Sequence, residues 1–210
     1  MHKKRSQMSS EIPLPRKGTK YISKASHFSN KKMPLIFILR DIMGVAKTKH
    51  EARKICLEGN VKVNGKIRKD IKFPIGSRDI VTIMNKIYKV ELEKKRYILK
   101  EVKEENKRIL KVIGKRILKG KKIQANLEDG TNILTNEKFN VGDSFAVSIP
   151  ENKIIKIIPL KEGSKVEIIS GKYTGSSGKV IKVDEKNKFR IKLNEGAEVF
   201  IAKENLLAIE

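Results

Sequence analysis

Residues 61 to 67 read Val-Lys-Val-Asn-Gly-Lys-Ile. Asn-Gly between two short alternating runs is the strongest short-range signal for a two-residue hairpin, because both turn positions require positive φ, and such a turn is expected to bring Lys62 and Lys66 close together on neighbouring strands. A helix signal stands directly in front of it. Thr48 followed by Glu51 forms a capping box, and Gly59 marks the end of the helix. Ala52, Ile55 and Cys56 fall on one side of that helix. Lys49 and Arg53, and likewise His50 and Lys54, lie four apart and make a basic strip on the other. Upstream, Pro34 suits the first turn of another helix, with Leu35, Ile38, Leu39 and Ile42 at one-face spacing and Gly44 as its stop. With Ile80–Ile83 as a further strand, residues 34–93 read as a small α+β domain built around a helix and a hairpin.

The strip belongs to a larger excess. The 210 residues hold 48 Lys and Arg against 24 Asp and Glu, a formal net charge of +24. Self-repulsion of that size disfavours a compact state, so it points to a polyanionic partner. Residues 1–33 carry nine basic groups and one acidic, few apolar residues, and Pro13, Pro15 and Gly18. Such a segment is expected to be a flexible basic arm. If RNA holds it, Lys3, Lys4, Arg5, Arg16, Lys17 and Lys20 are its phosphate contacts, and Tyr21 or Phe28 is available to stack on a base.

An anionic membrane surface is the rival partner, and the pattern disfavours it, with no tryptophan and no long helix setting a basic face against an aromatic one. The longest apolar run, Leu35 to Leu39, is far short of the ~20 residues of a spanning helix, and the charged N-terminus has no apolar segment behind it. The expected location is the cytoplasm. Cys56 is the only cysteine, which rules out an intramolecular disulfide, and it reads as a small core residue. His2, His27 and His50 lack zinc-ligand spacing. No metal and no cofactor are expected.

From about residue 94 the apolar period becomes alternating, with turn signals at Lys119-Gly120, Asp129-Gly130, Val141-Gly142-Asp143 and Glu151-Asn152. This predicts a small antiparallel β-barrel-like domain over 94–160, with a helical turn weighed for residues 100–114. A last unit, 161–210, holds strands near Val166–Ile169, Gly178–Val183, Phe189–Leu193 and Glu198–Ile201. Gly171, Gly175 and Gly178 there suit tight loops and close backbone approach. Lys172, Tyr173 and Lys179 sit among them as phosphate and stacking candidates. Gly-Lys-Val at 178–180 lacks the Ser or Thr of a nucleotide-binding P-loop.

Helix, capping box, glycine stop and hairpin, in that order, resemble the alpha-L RNA-binding domain, in which the basic helix and hairpin clamp folded RNA. The resemblance carries RNA contacts onto Lys47, Thr48, Lys49, Arg53 and Lys54, then Lys62, Lys66 and Arg68. The Leu39-Arg40-Asp41 triplet and the run from Gly65 to Asp79 are similar to the archaeal and eukaryotic small-subunit ribosomal protein S4e family. Residues 111–134 resemble that family's central domain, and 165–180 resemble a KOW motif, here taken as an SH3-like barrel. In this chain SKASHFSNKK stands where the family has a proline-rich run. The resemblance implies small-subunit rRNA (its 5′ domain) and neighbouring ribosomal proteins as partners, with no homo-oligomer.

Two other functions compete at this stage. An enzyme carrying an alpha-L module, such as a pseudouridine synthase or rRNA methyltransferase, needs a larger catalytic domain. Residues 94–210 contain no GxGxxG and no long β/α alternation. A transiently bound KOW-containing translation or ribosome-assembly factor uses the same RNA chemistry and stays open as the alternative.

Overall fold

The computed structural model describes residues 3–27, 32–93, 95–103, 106–118, 122–183, 188–194 and 196–209. The fold is α+β and mostly strand. It divides into two compact units, residues 1–105 and 106–210.

In the first unit the strands are β1 (Lys3–Lys4), β2 (Tyr21–Ile22), β3 (Met33–Pro34), β4 (Val61–Val63), β5 (Lys66–Ile67), β6 (Pro74–Ile75), β7 (Ile80–Ile83), β8 (Lys86–Glu93) and β9 (Arg96–Val102). Five of them form an antiparallel sheet in the order β5-β4-β7-β8-β9. The boundary expected at 93/94 therefore falls at the tip of the β8–β9 hairpin, whose register runs from Ile87 opposite Val102 to Glu93 opposite Arg96. The alternating period begins inside the first unit and not at a border between domains. The helical turn weighed for 100–114 is not seen in its described residues, which run into β9 and out along the next strand.

Pro34 does not open a helix. Met33 and Pro34 pair with Ile75 and Pro74, a contact forty residues away that local periodicity cannot register. The helix begins just behind it, and its Phe37–Ile42 part is a π-helix, closed by Met43 N–H donating to Ile38 O at 3.0 Å. Residues 33–39 are buried without interruption, so the segment is a core plug and not a one-face helix. The following helix, α1 (Lys49–Leu57), packs Ala52 and Cys56 into the same core. Burial, with Asp70 a smaller cause, pushes the Cys56 thiol up to about 11, consistent with an unreactive core thiol.

The described residues of the segment expected to be flexible, 3–27 and 32–33, are folded against this core. Ile12 is buried, and Met8, Leu14 and Ile22 pack partly against the cluster. β1 pairs with β2, Tyr97 N–H donates to Glu11 O at 2.9 Å, and Ser26 N–H donates to Lys72 O at 2.9 Å. Four scattered apolar residues give the segment something to bury, which its mean composition conceals.

The second unit holds two antiparallel five-stranded sheets. The first is built from β10 (Lys107–Ile117), β11 (Ile123–Leu127), β12 (Asn132–Thr135), β13 (Ser144–Ser148) and β14 (Ile154–Ile158), in the order β12-β11-β10-β13-β14. Its core centres on Phe139, Phe145, Val112 and Val147. The second is built from β15 (Lys165–Ile168), β16 (Ser177–Val183), β17 (Lys188–Leu193), β18 (Glu198–Ala202) and β19 (Leu206–Ala208), in the order β18-β17-β16-β15-β19. Val166, Ile168, Ile191 and Leu206 form its core. The expected turns at Gly130 and Asn152 appear with positive φ. Lys119-Gly120 lies outside the described residues.

Candidate nucleic-acid interface

α1 is started by its own side chains. Thr48 at the N-cap is extended (φ −119°, ψ 161°), and its Oγ1 accepts from Glu51 N–H at 3.2 Å. Glu51 reaches back further than a standard capping box, accepting from Lys47 N–H at 2.8 Å. That bond is the first cause holding the Glu51 carboxyl below the usual glutamate range, against a smaller opposing effect of burial. The acid nearest the basic strip is thus tied to backbone. Lys47, Lys49, His50, Arg53 and Lys54 are exposed, while Ala52 and Cys56 are fully buried. Among the described residues no carboxylate makes an ion pair with Lys49, Arg53, Lys54, Lys62 or Lys66.

The hairpin turn forms as its sequence demands, with φ of 51° at Asn64 and 75° at Gly65. Asp79, which sequence reasoning treated only as part of a family pattern, fastens it. Asp79 Oδ1 accepts from Asn64 Nδ2 at 2.9 Å, and Oδ2 accepts from Gly76 N–H at 2.8 Å. Asn64 Oδ1 in turn accepts from Ile80 N–H at 2.9 Å. The register qualifies one expectation. Lys62 sits opposite Ile67 and Lys66 opposite Val63, so the two lysines occupy neighbouring strands but alternate faces of the ribbon. Arg68 is half-buried with its guanidinium 4.3 Å from the centre of the Phe73 ring, a cation–π contact within the fold.

The folded arm gathers its basic residues. Lys4, Arg5, Arg16, Lys17 and Lys20 line one concavity of about 420 Å³. Arg5 has a second task, since its guanidinium donates to Pro15 O at 2.6 Å, to Thr19 O at 2.9 Å and to Thr19 Oγ1 at 3.0 Å. Lys3 is half-buried at the strand pair. Phe28 lies outside the described residues. Sequence reading missed Lys24, Lys72 and Arg40, which line a second cleft with Tyr21, Lys17 and Lys49. No local signal marks them, because they meet only when the arm folds back.

In the last sheet Gly171 and Gly175 have φ of 107° and 86°. Gly178 serves close approach, as a Cβ there would lie 2.5 Å from Lys192 O. Lys172 Nζ stands 5.4 Å from the centre of the Tyr173 ring, and that ring packs partly against the core. Lys179 pairs with Lys192. The same outward face carries Lys182, Arg190 and Phe200, the last 62% exposed.

An exposed basic helix beside a fastened hairpin, a cationic bowl and a lysine-rich sheet face define a class, the small basic proteins assembled from RNA-binding modules. Comparison with known proteins narrows it. The S4 domain family matches residues 33–81, the ribosomal family S4e residues 84–154, and the KOW motif residues 162–200. Small ribosomal subunit protein eS4 of Archaeoglobus fulgidus is 37% identical over 185 residues, covering 86% of this chain and 79% of that protein. The protein of the same name from Methanothermobacter thermautotrophicus is 38% identical over 191 residues, covering 87% and 79%. The crystal structure of 30S ribosomal protein S4e from Thermoplasma acidophilum matches with a TM-score of 0.73 at 31% identity, over 85% of this chain and 95% of that one. The chain belongs to the ribosomal protein S4e family.

Proposed function

We propose that this protein is a structural constituent of the small ribosomal subunit, holding rRNA through the α1 strip, the hairpin, the arm bowl and the loops and face of the last sheet. The reading rests on one observation above all. α1 buries Ala52 and Cys56 completely while Lys49, Arg53 and Lys54 stay exposed without an ion pair among the described residues, in a chain of net charge +24. Fixed cations on a rigid helix suit phosphates, giving affinity and register without reading sequence.

The relatives carry the name of a small-subunit protein, which sets aside both the enzyme and the visiting factor, and a ribosomal protein works in the cytoplasm. Lys47, Thr48, Lys49, Arg53 and Lys54 meet one stretch of backbone, with Lys62, Lys66 and Arg68 beside it. Lys3, Lys4, Arg5, Arg16, Lys17 and Lys20 hold a second stretch, and Lys172, Tyr173 and Lys179 a third. The working modules are the arm and the alpha-L domain in the first unit (1–105), and the central β domain and the KOW domain in the second (106–210). The rRNA contacted is that of the 5′ domain, with neighbouring ribosomal proteins at the edges.

Cosedimentation through a high-salt gradient tests this reading. A resident protein stays with small subunits after the wash. Quantitative release into the top fractions returns the protein to the class of transient factors.

A further inference from the structure

The cleft that sequence reading did not anticipate has a chemistry of its own. It encloses about 480 Å³ between the folded arm and the α1 region, within the range of small-ligand sites. Ile36 and Phe37 give it an apolar part, Lys24, Lys49 and Lys72 give it cations, and Tyr21 (45% exposed) supplies an aromatic ring. Its polar centre is Arg40 and Asp41, whose side chains bond each other: Arg40 Nε donates to Oδ1 at 3.1 Å and an Arg40 terminal NH₂ to Oδ2 at 2.9 Å. Neither side chain is needed by the core that Leu39 completes one residue earlier. The pair rides on the π-helix of residues 37–42, and single-turn π geometry recurs where function needs a side chain re-aimed.

We propose that this cleft is a pocket for one unpaired guanine nucleotide of RNA, an inference that rests on the RNA-binding reading above. Each Asp41 oxygen accepts one bond from Arg40 and keeps a further lone pair, and Arg40 keeps N–H donors unused by that pair. A donor beside a two-oxygen acceptor complements the guanine edge, where O6 stands beside N1–H and N2–H. Adenine offers one donor group on that edge, and uracil one N–H between two acceptors. Tyr21 provides the stacking face and the lysines receive the flanking phosphates, the usual way single-stranded RNA is held. The wall exists before RNA arrives, because Arg5 staples Pro15 and Thr19 in place, and pre-organisation of this kind lowers the cost of binding.

The test uses the full-length protein and fluorescence anisotropy with pentauridylate, the same pentamer with a central guanine or adenine, and free guanosine monophosphate. The guanine pentamer is expected to bind about tenfold more tightly than the other two, the size of discrimination that one bidentate contact to a base edge gives. Asp41→Asn should erase that preference while leaving the fold intact by circular dichroism. Tyr21→Ala should weaken all three pentamers by about tenfold, in keeping with the value of base stacking, and Tyr21→Phe should restore it. Equal binding of the three pentamers, or a preference that survives Asp41→Asn, overturns the pocket. Guanosine monophosphate binding as tightly as the guanine pentamer overturns RNA as the occupant. Protein that holds small-subunit rRNA yet discriminates no pentamer defeats the pocket alone, whereas protein that holds no rRNA defeats the reading beneath it.

Discussion

Lys111, on β10, donates from its Nζ to the carbonyl oxygen of Leu206, on β19, at 2.7 Å. The same ammonium donates to Lys203 O at 2.7 Å and Glu204 O at 2.8 Å. One buried lysine therefore satisfies three carbonyls, two in the turn that leads into the last strand and one at that strand's first residue. Replacing it leaves those acceptors unmade, at about 1 kcal/mol or more each, so Lys111→Met should lower the stability of the second unit by about 2–4 kcal/mol in urea unfolding.

The same site predicts a pH dependence. Burial is the first cause pushing the Lys111 pKa from 10.5 down to about 8. A group that binds its proton less tightly when folded destabilises the native state below that value, and the cost is relieved as pH rises. The relief runs from about pH 8 to the unfolded value near 10.5 and amounts to about 3 kcal/mol. Wild-type stability should rise over that window more steeply than that of Lys111→Met. Parallel curves for the two proteins contradict the assignment.

Asp79 is predicted to govern the hairpin from beneath. Asp79→Ala leaves the partly buried Asn64 Nδ2 and the buried Gly76 N–H without their acceptor, at a cost of about 1–3 kcal/mol. Amide exchange at residues 61–67 should quicken in the variant while α1 stays protected. Unchanged exchange across the hairpin shows that the turn needs no support from Asp79.

These two anchors mark how far the sequence could be read. The Asn64-Gly65 turn, the Thr48 cap and the inward Ala52 and Cys56 are local patterns, and local patterns survive folding. Asp79, Lys111 and the Met33–Ile75 pairing act across 15 to 95 residues, where periodicity carries no information. The arm misled for a related reason. Ile12 and Leu14 are too sparse to raise its apolar content, yet they are what docks it. Lys62 and Lys66 looked like neighbours because the turn is short. The register that separates their faces follows from which strand residues pair, a detail that the alternation of strand faces supplies once the pairing is known.

Gly178 should tolerate no side chain. A Cβ would meet Lys192 O at 2.5 Å and the Ile191 side chain at 2.8 Å, so β16 and β17 must separate. Gly178→Ala is expected to cost about 1–3 kcal/mol, the range for overpacking, measured by thermal unfolding of the intact chain. A wild-type melting temperature in the variant shows that the strands have room to spare.

The central claim is that exposed cations on α1 and the hairpin each neutralise an rRNA phosphate. Binding of a small-subunit rRNA fragment, followed across a range of salt concentrations, measures this directly. With Lys49, Arg53, Lys54 and Lys62 engaged, log K should fall against log salt with a slope of roughly −3 to −4 from these residues. Lys49→Ala combined with Arg53→Ala should flatten the total slope by about two units with the fold preserved. A double variant with the wild-type slope contradicts the account and leaves the strip a solvated helix face.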